Sequence, residues 1–492
     1  MELIWKELAA SRLVAEYSEQ VTAEGYLPSP DGRTPAEALI VSPKAVILSS
    51  SVDGDGLHVA GRITVTLTAA DPAGGLFAYE SSAAFKRDAP IEGAAPGMNA
   101  EVNAQVVGIS AVPDGDGVRM EAQIELSGLV VSNVPVKTAE GISGIRDLET
   151  KAVSFEHRSK RLLGSLTSRM REEIAAENVS DVIAASSAIA VRDASLERGT
   201  ATVSGTITVS AVTLDADGRP GQMFRQVPFR ERIEVNGSSD KVYCEAELGA
   251  VYLRALGEEF ALISMETEAE FKVYGAESVE LTVPVDAFSP AVGFDCLHDE
   301  IKFLSRVGHA SAQSTVRETV PLPDGAADAA SVSFAAARSV VTGVCAERGE
   351  LNVEGVNTTT VVYSSSAGAR HTFTEDVPFS ISIPIEDISE KATVSTESIV
   401  SIIGFTERSV ILQYNIFVEA ELMRVDKVSA VSGITEKDGT GRKPGIAICF
   451  ASEGEEVFDV AKRYSVPCAL VEKLNPDVKA PFTEGDRLLL LI

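Results

Sequence analysis

One alternating stretch recurs three times, and it limits what this chain can fold into more than any other feature. Leu57, Val59, Gly61, Ile63, Val65 and Leu67 alternate with more polar neighbours, the period of a strand with one face in a core. Ala201, Val203, Gly205, Ile207 and Val209 repeat the pattern, and Leu351, Val353 and Gly355 begin it again. Phe85, Phe229 and Phe379 each follow the corresponding glycine by 24 residues, the last two within Val-Pro-Phe triplets. Further strands are expected 31 to 33 residues after each phenylalanine, around Val118, Phe260 and Val410. Coincident spacings in otherwise diverged sequence predict a triplicated β-domain, with the phenylalanines buried and the glycines on equivalent strands.

At the usual domain size, 492 residues allow about three or four domains. The balance of 72 acidic against 43 basic side chains gives −29, which repels nucleic acid and anionic lipid. Acid stands near the first residue where an export signal needs a basic region, and no stretch of about 18 apolar residues occurs. Five cysteines without a Cys-x-x-Cys pair read as free thiols in a reducing compartment. A cytoplasmic protein without membrane insertion is expected.

The fold class expected is mostly β: three tandem β-sandwich-like domains with part-helical linkers, plus a small C-terminal βααβ module. Domain one spans residues 1–140 with its N-terminal segment, where Trp5 is expected to cover the first core. A linker follows at 141–178, domain two at 179–290, a second linker at 291–328 and domain three at 329–430. Residues 431–445 read as a flexible tether of Gly, Pro and charge, and 446–492 as the module. The turns Asp53–Gly56 and Asp114–Gly117 suggest calcium ligands. Arg198-Gly199 and Arg348-Gly349 at equivalent places instead require only tight hairpins, so no metal is expected. Cys296 and His298 sit in the second linker, where a helix would separate them. Glu266, Glu268 and Glu270 line the wet face of a strand, a solubilising row or a surface for a basic partner. The apolar run Val410–Val418 is either covered on both faces or an exposed partner patch.

In the module, Ile446–Phe450 reads as a strand, and Val457, Val460, Ala461 and Tyr464 recur at helical spacing. A second helix carries Leu470 and Leu474, Asn475-Pro476 ends it, and Gly485-Asp486 turns into a final strand. This order, with Gly454, Val460-Ala461-Lys462-Arg463-Tyr464, Leu474-Asn475-Pro476 and Gly485-Asp486-Arg487-Leu488, resembles the LysM module. It departs at Glu455-Glu456, where LysM modules carry Asp-Thr in a loop that grips N-acetylglucosamine sugars. With the three β-domains and Asp286-Ala287-Phe288-Ser289-Pro290, the whole chain resembles the SPOCS-domain spore-morphogenesis proteins that end in LysM.

That resemblance implies a non-enzymatic scaffold or adaptor in spore coat or envelope assembly, on the mother-cell side of the developing spore surface. Its LysM module would bind the coat basement-layer ATPase, and its SPOCS part would recruit other coat proteins. The alternative is a binder of peptidoglycan or N-acetylglucosamine polymers at the wall. Gly454, Glu455, Glu456, Val457, Phe458, Leu474, Asn475 and Pro476 are the expected partner- or glycan-binding residues, bordering with the 475–484 loop one groove with an acidic rim and an apolar centre. No catalytic residue and no cofactor is expected: no phosphate loop or nucleophile elbow is present, and His58, His157, His298, His309 and His371 are scattered.

Overall fold

The computed structural model describes residues 2–256, 262–385, 391–437 and 445–492. The chain is mostly β. After β1 (Glu2–Leu8) come β2 (Arg12–Pro28), β3 (Glu37–Val52), β4 (Leu57–Ala70), β5 (Leu76–Ala89), β6 (Asn99–Asp114) and β7 (Gly117–Ser132). β8 (Val136–Ser143) returns to pair with β1. A second group holds β9 (Glu149–Ala175), β10 (Asp181–Glu197), β11 (Thr200–Leu214), β12 (Pro220–Glu234), β13 (Val242–Leu256) and β14 (Leu262–Phe288). The third holds β15 (Phe294–Pro321), β16 (Ala329–Glu347), β17 (Glu350–Ser365), β18 (Arg370–Pro384), β19 (Lys391–Thr406) and β20 (Ser409–Glu436). Last come β21 (Ile446–Phe450), α1 (Val457–Tyr464), α2 (Cys468–Leu474) and β22 (Arg487–Leu491).

The pairing order is the same in each group. β3-β4-β5, β10-β11-β12 and β16-β17-β18 are three-stranded meanders. The remaining strands order as β2-β7-β6, β9-β14-β13 and β15-β20-β19. In each group the two sheets face one another across an apolar core, filled from β4, β11 or β17 on one side and β7, β14 or β20 on the other. Gly61, Gly205 and Gly355 lie directly opposite Phe85, Phe229 and Phe379 in the ladder. Each phenylalanine ring lies where a glycine Cβ would stand. Phe85 and Phe379 are buried, whereas Phe229 is only partly covered and packs on Phe271 at 5.4 Å.

The hairpins follow the turn chemistry. Arg198 and Gly199 have φ of 48° and 80°, Arg348 and Gly349 54° and 83°, as a two-residue loop with both φ positive requires. At Asp53–Gly56 the Asp53 carboxylate accepts the Asp55 N–H at 2.8 Å, closing the turn.

Several expectations need correcting. The linkers are not helical: 149–175 and 294–321 are the long strands β9 and β15, paired along their length with β14 and β20. Local helix propensity of the charged side chains is overridden by the continuous ladders with β14 and β20. Trp5 does not close a core; it is 48 % exposed on the β1–β8 ribbon. Ser432–Glu436, assigned to the tether, continues β20 opposite Phe294–Leu297; residues 438–444 of the tether, and the strand expected at Phe260, lie outside the described residues. Val410–Val418 is covered on both faces, with Val410, Leu412, Tyr414 and Ile416 in the third core and Phe417 against Ala188 and Ile399. Glu266, Glu268 and Glu270 do form an outward row, paired with Arg171, Arg169 and Lys272 at 3.1, 3.1 and 3.2 Å.

The three groups converge. Leu39, Val212, Phe334 and Val362 bring the meanders together in one cluster, and Leu13, Val131, Leu304 and Met423 join the first and third groups. Where the second sheets meet, Lys160 pairs with Glu421 at 2.7 Å and Glu245 at 3.1 Å, while Arg306 pairs with Glu421 at 2.5 Å and with Glu101. Among the described residues no helix is long and apolar enough to cross a membrane.

Candidate functional site: the C-terminal module and its dock

β21 and β22 pair antiparallel from Ile446↔Leu491 to Phe450↔Arg487, and the two helices pack on one face of this ribbon. Helix α1 starts at Val457 because Glu456 stands before it in an extended conformation, its N–H donating to Asp459 at 3.0 Å. Ser465, at φ 45°, ends it in the left-handed region. Asn475 is the internal strut. Its side-chain N–H groups donate to Val471 O at 2.8 Å and Leu489 O at 2.9 Å, and its oxygen accepts the Leu489 N–H at 2.7 Å. That satisfies the β22 backbone at Leu489 much as another strand would.

The module sits on the end of β9 and β14. Lys151 reaches Glu456 at 2.9 Å and Asp459 at 3.2 Å, and Lys462 reaches both oxygens of Asp286 at 2.6 Å. Glu149 accepts the Cys468 N–H at 3.0 Å. Burial, with Glu149 alongside, pushes the Cys468 thiol up to about 12. Phe458 stacks edge-on against Phe288, 5.1 Å between centroids, and Lys151 lies 6.0 Å from its ring. The hydrogen bond that Lys151 donates to Glu456 holds its ammonium above its usual value. Thus Asp286 and Phe288, singled out as a domain ending, are the seat of the module.

The eight expected site residues do not border one groove. Phe458 is buried in the dock, and Glu456 is used by Lys151. Glu455 pairs with Arg463 and accepts the Ser452 N–H at 2.9 Å, so the expected acidic rim is spent internally. Gly454, at φ 78°, donates to Phe482 O, and Phe482 N–H returns to Glu455 O, stitching the two loops together at 2.9 and 2.8 Å. Leu474 is half-buried. Only Val457, Asn475 and Pro476 reach a shared cleft of about 350 Å³, whose wall also includes Val471, Phe482 and Leu488 and whose charged groups are Glu472 and Lys479. Val478, Lys479, Ala480 and Phe482 of the 475–484 loop, which was expected to border the groove, do line this cleft, whereas Val471, Glu472 and Leu488 were not expected there.

Cys296 and His298 are on the same side of β15, not on a helix, and both bond to carbonyls of β14: Sγ to Ala287 O at 3.4 Å, Nε2 to Val285 O at 2.9 Å. His58 bridges Asp88 (2.7 Å) and Asp53 (3.1 Å), the latter an ion pair off-line for a hydrogen bond. Among the described residues no group of three or more His, Cys, Asp or Glu is placed to hold a metal. No protein-family model, curated protein or solved structure matches the chain.

Proposed function

We propose that this chain is a non-enzymatic scaffold and adaptor of spore coat assembly, built as three tandem SPOCS-type β-sandwich repeats with a C-terminal LysM-type module. The observation that supports this most is the threefold recurrence of one strand order with glycine opposite phenylalanine. Repetition of a core supplies surface, and here the three copies are joined into a frame that carries the module on a fixed seat. The module's partner in this reading is the coat basement-layer ATPase, with other coat proteins on the β repeats, in the mother-cell cytoplasm and without a cofactor. Affinity capture from sporulating cells, with the full chain as bait, tests it. Recovery of the ATPase is expected and should drop for a chain carrying Pro476→Asp in the cleft wall. Equal recovery with that variant argues that the cleft is not the contact.

The cleft itself favours one second reading. A pocket of about 350 Å³ with apolar walls and two charged groups is the size for a sugar ring, so a wall-glycan binder remains the alternative. Titration with N-acetylglucosamine oligomers separates the two.

A further inference from the structure

The module's ribbon turns one face away from its helices. Cys449, Leu488 and Leu490 point into the core, while Ile446, Ile448 and Phe450, exposed by 74, 66 and 59 %, point outward with Leu489 and Leu491. Large apolar side chains so open on adjacent strands are uncommon on a finished surface. The backbone beneath them is equally unfinished. Gly445 and Ile492 exchange both N–H···O bonds, at 3.0 and 2.9 Å. Alternation along an antiparallel ladder then makes Ala447–Leu490 and Cys449–Leu488 the bonded pairs. Ile446, Ile448 and Phe450 must therefore turn their N–H and C=O groups outward, away from β22. On the other strand the outward groups of Leu489 are taken by the Asn475 amide. One edge of the ribbon is capped; among the described residues no strand pairs with the other.

We propose that a second copy of this chain closes that edge, β21 against β21, antiparallel about a two-fold axis at Ile448. The strand is its own complement in this register. Ile448 meets Ile448 of the second copy, Ile446 meets Phe450, and Phe450 meets Ile446. All three residues whose backbone groups face outward become bonded pairs at once. The same register sets the exposed side chains directly opposite one another on one face, where apolar and aromatic pairs stabilise a sheet. The one charged side chain on the face, Arg487, lies over the Phe450 ring at 5.8 Å. The dyad carries the two arginines to opposite ends, so no like charges meet. Each chain bears −29, and this general repulsion is screened by salt, so the dimer strengthens as salt is raised. An ion-paired interface would do the reverse.

Sedimentation equilibrium of the full chain should show a monomer–dimer equilibrium that tightens between low and physiological salt. Hydrogen exchange at the Ile446, Ile448 and Phe450 amides should slow as concentration rises through it. Ile448→Lys places two cations opposite each other and should weaken the dimer by about tenfold or more, whereas Ile448→Val should keep it. Circular dichroism melting confirms that both variants remain folded. A chain that stays monomeric at every attainable concentration overturns the proposal. So does a dimer indifferent to Ile448→Lys, or one in which the three amides exchange no more slowly than in the monomer.

Discussion

His58 lies between two carboxylates on the surface of the first β group. The hydrogen bond to Asp88, then the contact with Asp53, raises its pKa above the ordinary 6.5. Because the folded value is the higher one, the stabilisation is complete below 6.5 and disappears as pH rises through the folded value. Proton NMR titration should find His58 titrating above 6.5, and Asp88→Asn should lower it; a value at or below 6.5 in the unaltered chain contradicts this. Phe458 is the other informative residue. In the sequence it resembled an exposed anchor, because a phenylalanine at the second position of a short helix can face either way. The seat provided by Phe288, 170 residues earlier in the chain, is invisible there; the structure buries Phe458 against it. Phe458→Ala should therefore destabilise the docked module by about 3–5 kcal/mol. Hydrogen exchange across α1 reads this loss, and unchanged protection would place the side chain outside the core.

At the scale of elements, the glycine–phenylalanine pairs make a graded prediction. An alanine Cβ at Gly205 would collide with the Ala190 carbonyl oxygen as well as the Phe229 ring, and at Gly355 with the Val340 carbonyl and Phe379. At Gly61 the nearest atoms all belong to the Phe85 side chain and none to the backbone. Gly205→Ala and Gly355→Ala should each cost about 1–3 kcal/mol, and Gly61→Ala less. Thermal melting of the three variants orders them, and equal losses would contradict the register argument. This register was legible in the sequence because period-two alternation and a fixed spacing survive divergence. The strands β9 and β15 were not. Their segments are dense in Arg, Lys and Glu, which favour a helix locally, and only their ladders with β14 and β20 hold them extended. Likewise Asn475-Pro476 marked the module's second loop, but nothing local announced that Asn475 would cap β22.

At the scale of the whole molecule, the three β groups meet over buried charge. Burial works to raise the Glu421 carboxyl, but Arg306 and Lys160 outweigh it and hold it below its usual range. Glu419, two residues away on β20, has no such partner among the described residues: burial, then Glu245 and Glu397, pushes it up to about 7. It borders a cavity of about 350 Å³ between β10 of the second group and β15 and β20 of the third. The folded value exceeds the ordinary 4.5, so the protonated form is the one the fold prefers. The cost of ionising it grows from about pH 4.5 to 7 and is complete above. Melting temperature should decline across that window, and Glu419→Gln should remove part of the decline. An unchanged profile in the variant would show that Glu419 is solvated at this junction. The central claim concerns what the assembled frame delivers: a module that grips protein. Calorimetric titration of the full chain with the purified coat basement-layer ATPase, and separately with N-acetylglucosamine oligomers, tests it most directly. The account predicts saturable binding of the ATPase and no heat from the sugar; tight sugar binding with no response to the ATPase would contradict it.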